Sequence, residues 1–162
     1  MTKLHLLAEK IGAVLKERGE SVAVSESSSG GLVSASLLAV PGASAYFMGG
    51  VVIYTSSARE ALLDINLADK PDIRSSTEAY ALLTAQAVRE RLDTTWGISE
   101  TGAAGPGGNR YGDLPGHTCV AVAGRLEHSE TLETGLTDRS ANMKLFAEKI
   151  LLIFDDLLRS SG

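Results

Sequence analysis

Ser27-Ser28-Ser29-Gly30-Gly31 places three consecutive hydroxyls and two glycines directly after a short apolar run, Val22-Ala23-Val24-Ser25. A helical pattern starts at once from Leu32. A turn from strand to helix presents unpaired backbone N–H groups at the positive end of a helix dipole. Glycine lets backbone approach a ligand closely, and serine adds hydroxyls at the same spot. Such a turn suits a phosphate, a carboxylate or the oxyanion of an acyl transfer. A serine-rich N-cap with a glycine turn has the same composition, so this stretch alone does not define a site.

A second stretch, Trp96-Gly97-Ile98-Ser99-Glu100-Thr101-Gly102-Ala103-Ala104-Gly105-Pro106-Gly107-Gly108, reads as another strand ending in a glycine-rich loop. In an open α/β sheet, ligands bind in the crevice beyond the carboxyl ends of the strands. Two such loops on neighbouring parallel strands would face one another across it. Neither loop carries the lysine of a P-loop, and Ser29-Gly30-Gly31-Leu32 does not match G-x-G-x-x-G. His5, His117 and His128 are scattered, without ligand-like pairing to Cys119 or a carboxylate, so no metal site is expected. Acyl transfer fits better. A serine between strand and helix is placed for nucleophilic attack, with backbone N–H groups for the oxyanion. Ser27, Ser28 and Ser29 are all candidates, and spacing does not choose among them. Tyr54, at the end of a later strand, and Arg59, on the next helix, lie where the chain could return beside the turn.

The elements that must position these groups follow from periodicity. Leu4, Leu7, Ala8, Ile11, Val14 and Leu15 recur at helical spacing, and Gly19 closes that helix. A strand is predicted over Ser21–Ser25 and a helix from about Gly31 to Ala39, before Pro41-Gly42. Tyr46–Tyr54 reads as a long strand with a bulge or close approach at Gly49-Gly50. Thr55-Ser56-Ser57 caps a short helix through about Leu63, and Asp64–Arg74 is a connecting loop. Ser75-x-x-Glu78 fits a capping box, with Ala81, Ala85, Val88 and Leu92 on one stripe beyond it. A strand over Thr95–Ser99 leads into a loop that runs to Pro115. Thr118–Ala123 and Glu130–Thr134 form a predicted hairpin about Gly124-Arg125. Asp138 caps a long final helix with Met143, Phe146, Ala147, Ile150, Phe154 and Leu157 inward. This order implies a three-layer α/β/α sandwich with a mixed, mostly parallel sheet.

Length and composition bound the rest. A chain of 162 residues, 44% hydrophobic and 22% charged, is expected to be one ordered domain with a single core. A net charge of −5 disfavours direct nucleic-acid binding, which needs a basic face. It leaves room for an anionic small molecule held by a local nest of donors. Cys119, the one cysteine, sits in an apolar run and reads as a buried structural thiol. No run is apolar over the length of a membrane span, and the N-terminus lacks a signal-peptide pattern, so a cytoplasmic location is expected.

Three stretches together carry a resemblance. Ser25-Glu26-Ser27-Ser28-Ser29-Gly30-Gly31 is similar to (A/S)-E-S-x-T-G-G, and Gly50-Val51-Val52-Ile53-Tyr54-Thr55 to G-x-V-x-Y-T. Ser99 to Gly108 resembles I-T-G-I-A-G-P-G-G. The chain thus resembles the CinA C-terminal-domain family, the nicotinamide-nucleotide amidohydrolases, from its first helix to its last. The resemblance implies a three-layer α/β/α domain, a homo-oligomer and often a dimer, which stands alone or follows a second domain in longer relatives. Here residues 1–162 would form the single domain. It implies deamidation of nicotinamide mononucleotide to the nicotinate form plus ammonia, without metal or other cofactor. The family's nucleophile falls on Ser27 and its tyrosine on Tyr54. Phosphate and ribose would lie against Ser28, Ser29, Gly30, Gly31, Thr101, Gly102, Gly105, Pro106, Gly107 and Gly108.

The departures from the pattern bear on the chemistry. Where the family has Y-T-N-x-A-K, this chain has Tyr54-Thr55-Ser56-Ser57-Ala58-Arg59. The family's lysine acts with serine and tyrosine, but an arginine keeps its proton, so Arg59 does not serve as general base. It can instead hold a Tyr54 phenolate or bind a phosphate in bidentate fashion. Ser29 replaces a threonine, and His117 stands where a glycine is expected, an alternative base or a loop residue without a role. The alternative reading is a non-catalytic nucleotide-binding or protein-interaction domain of the same family.

Overall fold

Alternation along the strands sorts side chains into two unequal layers. Val22, Val24, Trp96, Ile98, Val120 and Val122 point to one face of the sheet, while Ala23, Cys119, Ala121 and Ala123 point to the other. The computed structural model describes every residue from Met1 to Gly162. Its elements are α1 (Lys3–Arg18), β1 (Val22–Glu26), α2 (Leu32–Leu38), β2 (Phe47–Val52) and α3 (Ser56–Leu63). They continue with α4 (Glu78–Leu92), β3 (Trp96–Ala103), β4 (His117–Ala123), β5 (His128–Glu133) and α5 (Arg139–Ser160). Two short 3-10 turns, Ala43–Ala45 and Leu67–Asp69, sit in the connections.

The sheet order is β2-β1-β3-β4-β5. β1 pairs in parallel with β2 and β3, while β3–β4 and β4–β5 are antiparallel. Helices α1, α2 and α5 pack the face with large side chains, where Trp96 meets Phe154 edge-on at 5.8 Å. The opposite face carries small residues because α4 lies close against it. A Cβ at Gly97 would stand 2.1 Å from the Ala85 carbonyl oxygen, so only glycine admits the helix there. The expected α/β/α sandwich is present, with its parallel part confined to β2-β1-β3. No helix is long and apolar enough to cross a membrane.

The bulge expected in β2 is there: the register passes from Val22↔Phe47 to Ala23↔Gly49. β3, by contrast, does not stop at Ser99 but continues to Ala103, paired with β4 through Gly102↔Thr118 and Ala103↔His117. The antiparallel partner satisfies backbone groups that glycine-rich composition alone would assign to a loop. Helix α4 also departs from expectation, starting at Glu78 rather than from a cap at Ser75. Thr77 is the N-cap, accepting from the Tyr80 N–H at 3.2 Å and donating to the Arg74 carbonyl at 2.7 Å. Ser76 ahead of it takes a left-handed conformation, φ 61°, and donates its N–H to Thr101 Oγ1 at 3.1 Å. Ser75 and Ser76 therefore belong to a loop over the carboxyl end of β3. The hairpin strands and helix ends otherwise fall within two residues of their expected bounds.

Candidate active site

β1 lies inside the sheet, and the chain leaves it toward β2 on one side while β3 lies on the other. That is the place where an open sheet forms a crevice beyond its strand ends. The serine-glycine turn begins there, but its donors are largely spent inside the protein. The Glu26 carboxylate is fully buried and folds back over the start of α2. It accepts from Ser29 Oγ at 2.7 Å and from the N–H groups of Gly31, Val33 and Ser34 at 3.1, 3.0 and 2.9 Å. An internal carboxylate thus occupies the helix N-terminus that sequence reasoning offered to a ligand.

A second buried carboxylate, Glu100 on β3, holds the turn itself. Its Oε1 accepts from the N–H groups of Ser27 at 3.2 Å and Ser29 at 2.8 Å. Its Oε2 meets the Ser28 hydroxyl and accepts from Thr118 Oγ1 at 3.0 Å. Burial pushes the Glu100 carboxyl above the usual carboxylate range, and the hydrogen bonds from Ser28, Ser29 and Ser27 offset this only in part. The Gly30 N–H goes to the Ser27 carbonyl. Ser28 is the one residue of the turn whose N–H is not engaged.

What opens on the crevice is a cleft of about 340 Å³, the size of a small-molecule site. Of the three serines, only Ser27 lines it. Tyr54, Thr55, Ser56 and Arg59 form one wall, from the end of β2 into α3; Ser75, Ser76 and Tyr80 form another; Thr101 and Gly102 form the floor. A Cβ at Gly102 would stand 2.3 Å from the His117 carbonyl oxygen, so glycine is required where β3 passes beneath the cleft. Asn109, Arg110 and Tyr111 complete it. Nine of the fourteen lining residues carry a hydroxyl, two are arginines and none is acidic, so the cleft is electropositive in an acidic protein.

Tyr54 is 60% exposed, and its hydroxyl accepts from Arg139 Nη2 at 2.9 Å, while Arg139 Nη1 donates to the Gly105 carbonyl at 2.6 Å. The cation on Tyr54 is therefore that of Arg139, from the first turn of α5. Nothing in the sequence singled it out. Arg59 turns the other way. It is only 8% exposed, its ring partner is Tyr80 at 5.7 Å, and Nη1 reaches Ser75 Oγ and Tyr80 Oη at a long 3.5 Å. Its Nε meets no acceptor in the protein.

The loop after β3 is pinned from below. Arg74 donates to both Asp113 oxygens, at 2.8 and 3.2 Å, and its guanidinium holds the Asp113 carboxyl below its ordinary value. Asn109 bonds Asp113 through Nδ2 at 2.8 Å and accepts from the Tyr111 and Asp113 N–H groups. Tyr111 lies between the guanidiniums of Arg74 and Arg110, and the hydrogen bond from Arg110 draws its phenol below the ordinary tyrosine range. His117 is not a loop residue: it opens β4, buried, between Glu133 on Nδ1 and the Ser76 carbonyl at 2.8 Å from Nε2. Burial works against its protonation, but Glu133, Ser76 and Asp113 prevail and hold the imidazole above its ordinary value. Cys119, at 3.8 Å from Nε2, shares this cluster, and burial pushes its thiol up. His117 does not line the cleft, and both its ring nitrogens are engaged, by Glu133 and by the Ser76 carbonyl.

Of the residues singled out in the sequence, Ser27, Tyr54, Arg59, Thr101 and Gly102 come together around the cleft. Ser28 and Ser29 turn toward Glu100 and Glu26, Gly30 and Gly31 lie in the cap of α2, and Gly105, Pro106, Gly107 and Gly108 fall outside the lining. Ser75, Ser76, Tyr80, Asn109, Arg110 and Tyr111 are additions. The left-handed Ser76 displaced the helix start and brought three of them in.

Comparison with known proteins places this architecture. A family model described as the CinA C-terminal domain matches residues 4–158. A CinA-like protein of Trichodesmium erythraeum (strain IMS101) is 39% identical over 137 residues, which is 83% of this chain and 32% of that protein. A CinA-like protein of Synechocystis sp. (strain ATCC 27184 / PCC 6803 / Kazusa) is 46% identical over 121 residues, 72% of this chain and 28% of that protein. The chain spans about a third of the length of the curated relatives it matches. The crystal structure of a competence-damaged protein (CinA) superfamily protein from Klebsiella pneumoniae 700603 superposes with a TM-score of 0.90 at 21% identity, covering 97% of this chain and 98% of that one.

Proposed function

The chain belongs to the CinA C-terminal domain family, and from that premise we propose that it is an amidohydrolase acting on nicotinamide mononucleotide. The carrying observation is that Ser27, alone of three consecutive serines, opens on a cleft whose wall holds Tyr54 beneath the Arg139 guanidinium. In the proposed reaction Ser27 Oγ attacks the carboxamide carbon, and its proton passes by way of Tyr54 to the departing nitrogen. The C–N bond breaks, ammonia leaves, and water hydrolyses the resulting ester to release the acid and restore Ser27. The unspent Ser28 N–H and the surrounding hydroxyls are the donors for the oxyanion. Arg59 lines the same cleft as a fixed positive charge.

The test is ammonia release from nicotinamide mononucleotide by the purified protein. Turnover that Ser27→Ala abolishes supports the reading, and undiminished turnover in Ser27→Ala refutes it. One observation favours a second reading, binding without hydrolysis: the position of the family's lysine holds a guanidinium that gives up no proton. That reading expects a silent wild type that still binds the nucleotide, and turnover in Arg59→Lys.

A further inference from the structure

Glu26 and Glu100 are two buried carboxylates joined by a single residue. Neither is more than 2% exposed. Ser29 donates its N–H to Glu100 Oε1 at 2.8 Å and its hydroxyl to Glu26 Oε1 at 2.7 Å. No cation lies within salt-bridge distance of either carboxylate. The elements around Glu100 supply none. α2 has no ionisable side chain, β4 sets Thr118 and Val120 beside it, and the buried residues in the first turns of α5 are Asn142, Phe146 and Ala147. His117, next to Thr118, points to the other face of the sheet with Cys119 and is taken by Glu133. The cleft arginines, Arg59 and Arg110, form no ion pair with Glu100. Two unpaired carboxylates at such close quarters, out of water, do not both ionise, and one of them keeps a proton.

The hydrogen bonds decide which one. Glu26 meets donors only, Ser29 Oγ and the N–H groups of Gly31, Val33 and Ser34, the surroundings of an anion. Around Glu100 the count differs. Its Oε2 meets Ser28 Oγ and Thr118 Oγ1, and Thr118 Oγ1 also meets the Thr101 carbonyl at 3.1 Å. These three contacts need three protons, and the two hydroxyls bring two. A proton on Oε2 completes the set. Oε2 then accepts from Ser28 and donates to Thr118, and Thr118 donates to the Thr101 carbonyl. Burial acts in the same direction on the Glu100 carboxyl. We propose that Glu100 works as a neutral carboxylic acid and is a positioning residue of the serine turn, anchoring the Ser27 and Ser29 N–H groups without setting an anion beside the forming oxyanion. This deepens the hydrolase reading above and rests on it for the oxyanion. Glu100 gives no proton to the substrate. Ionised, it would oppose the negative charge that the free Ser28 N–H receives, in a site too dry to screen the two.

The experiment pairs infrared spectroscopy with a pH–rate profile. At neutral pH, where exposed carboxylates are ionised, the wild type should show the carbonyl band of a protonated carboxyl. Thr118→Val, which keeps the shape and removes the acceptor of that proton, should shift the band to higher frequency. The kcat for ammonia release from nicotinamide mononucleotide should fall about 10-fold per pH unit above the midpoint at which the band titrates. Glu100→Gln, which keeps an acceptor for the N–H groups and a donor for Thr118, should lose that alkaline fall and exceed Glu100→Ala in kcat about 10-fold or more. A wild type without the band at neutral pH overturns the inference. A band indifferent to Thr118→Val places the proton on Glu26, which Thr118 does not touch, and overturns it too. So does an alkaline fall that persists in Glu100→Gln, or Glu100→Gln no faster than Glu100→Ala. A Thr118-sensitive band without ammonia release leaves the neutral Glu100 standing while the hydrolase reading falls. Ser27-dependent turnover without the band gives the reverse.

Discussion

Replacing Glu100 with glutamine removes an ionisable group from the floor of the serine turn while keeping its shape. Glu100 accepts two backbone N–H bonds, from Ser27 and Ser29, and meets the hydroxyls of Ser28 and Thr118. Burial raises its carboxyl above the unfolded value of 4.5, so the native state binds a proton that the unfolded state has released over the interval between the two. The sign comes from linkage. Stability linked to Glu100 is fully present below the unfolded value and is lost as pH rises through the folded one, at up to about 1.4 kcal/mol per pH unit. Glu100→Gln has no such loss. Its stability relative to wild type should therefore climb as pH rises from 4.5, with the two curves converging at the acid end. Glu100→Ala leaves two backbone N–H groups without an acceptor, at about 1–3 kcal/mol each, and should be destabilised by about 2–6 kcal/mol relative to Glu100→Gln throughout. The assay is urea denaturation followed by the fluorescence of Trp96, the chain's only tryptophan and a buried one. Parallel pH curves for wild type and Glu100→Gln would refute the reasoning, as would Glu100→Ala as stable as Glu100→Gln.

Other parts of the site carry their own expected outcomes. Arg139→Ala removes the guanidinium on Tyr54, and kcat for amide hydrolysis should fall about 10- to 100-fold, the worth of one charge-assisted hydrogen bond, with little change in melting temperature. His117 is held above its ordinary value, so its contribution to stability is whole below about pH 6.5 and lost as pH rises through the folded value. His117→Asn should flatten that loss in denaturation curves taken across the range. Gly102→Ala drives a methyl to within 2.3 Å of the His117 carbonyl and should cost about 3 kcal/mol or more, read as a fall in denaturation midpoint.

The order of strands and helices was legible because each has a clear period: apolar residues at helical spacing in α1 and α5, and short β-branched runs for β1 and β4. The crevice was legible too, since glycine-rich ends on β1 and β3 need only be neighbours to form it. The assignment of donors within it was not. Glu26 and Glu100 look like ordinary charged residues in sequence, and only the packing of α2 and β4 around them turns them into internal acceptors. Their burial consumes N–H groups that composition left free. The start of α4 was misplaced for a related reason: Thr77 and Ser75 are equally good caps in isolation, and the Ser76–Thr101 hydrogen bond across 25 residues decides between them. Arg139 sits 85 residues from Tyr54, so no local pattern could pair them.

The most direct test compares ammonia release from nicotinamide mononucleotide by Ser27→Ala, Ser28→Ala and Ser29→Ala beside the wild type. The three serines are adjacent, but only Ser27 lines the cleft, while Ser28 and Ser29 bond to Glu100 and Glu26. The expected result is a loss of about 1,000-fold or more in Ser27→Ala alone, with the other two within about 10-fold of wild type. Turnover that survives Ser27→Ala, or that Ser28→Ala abolishes in its place, would contradict the account.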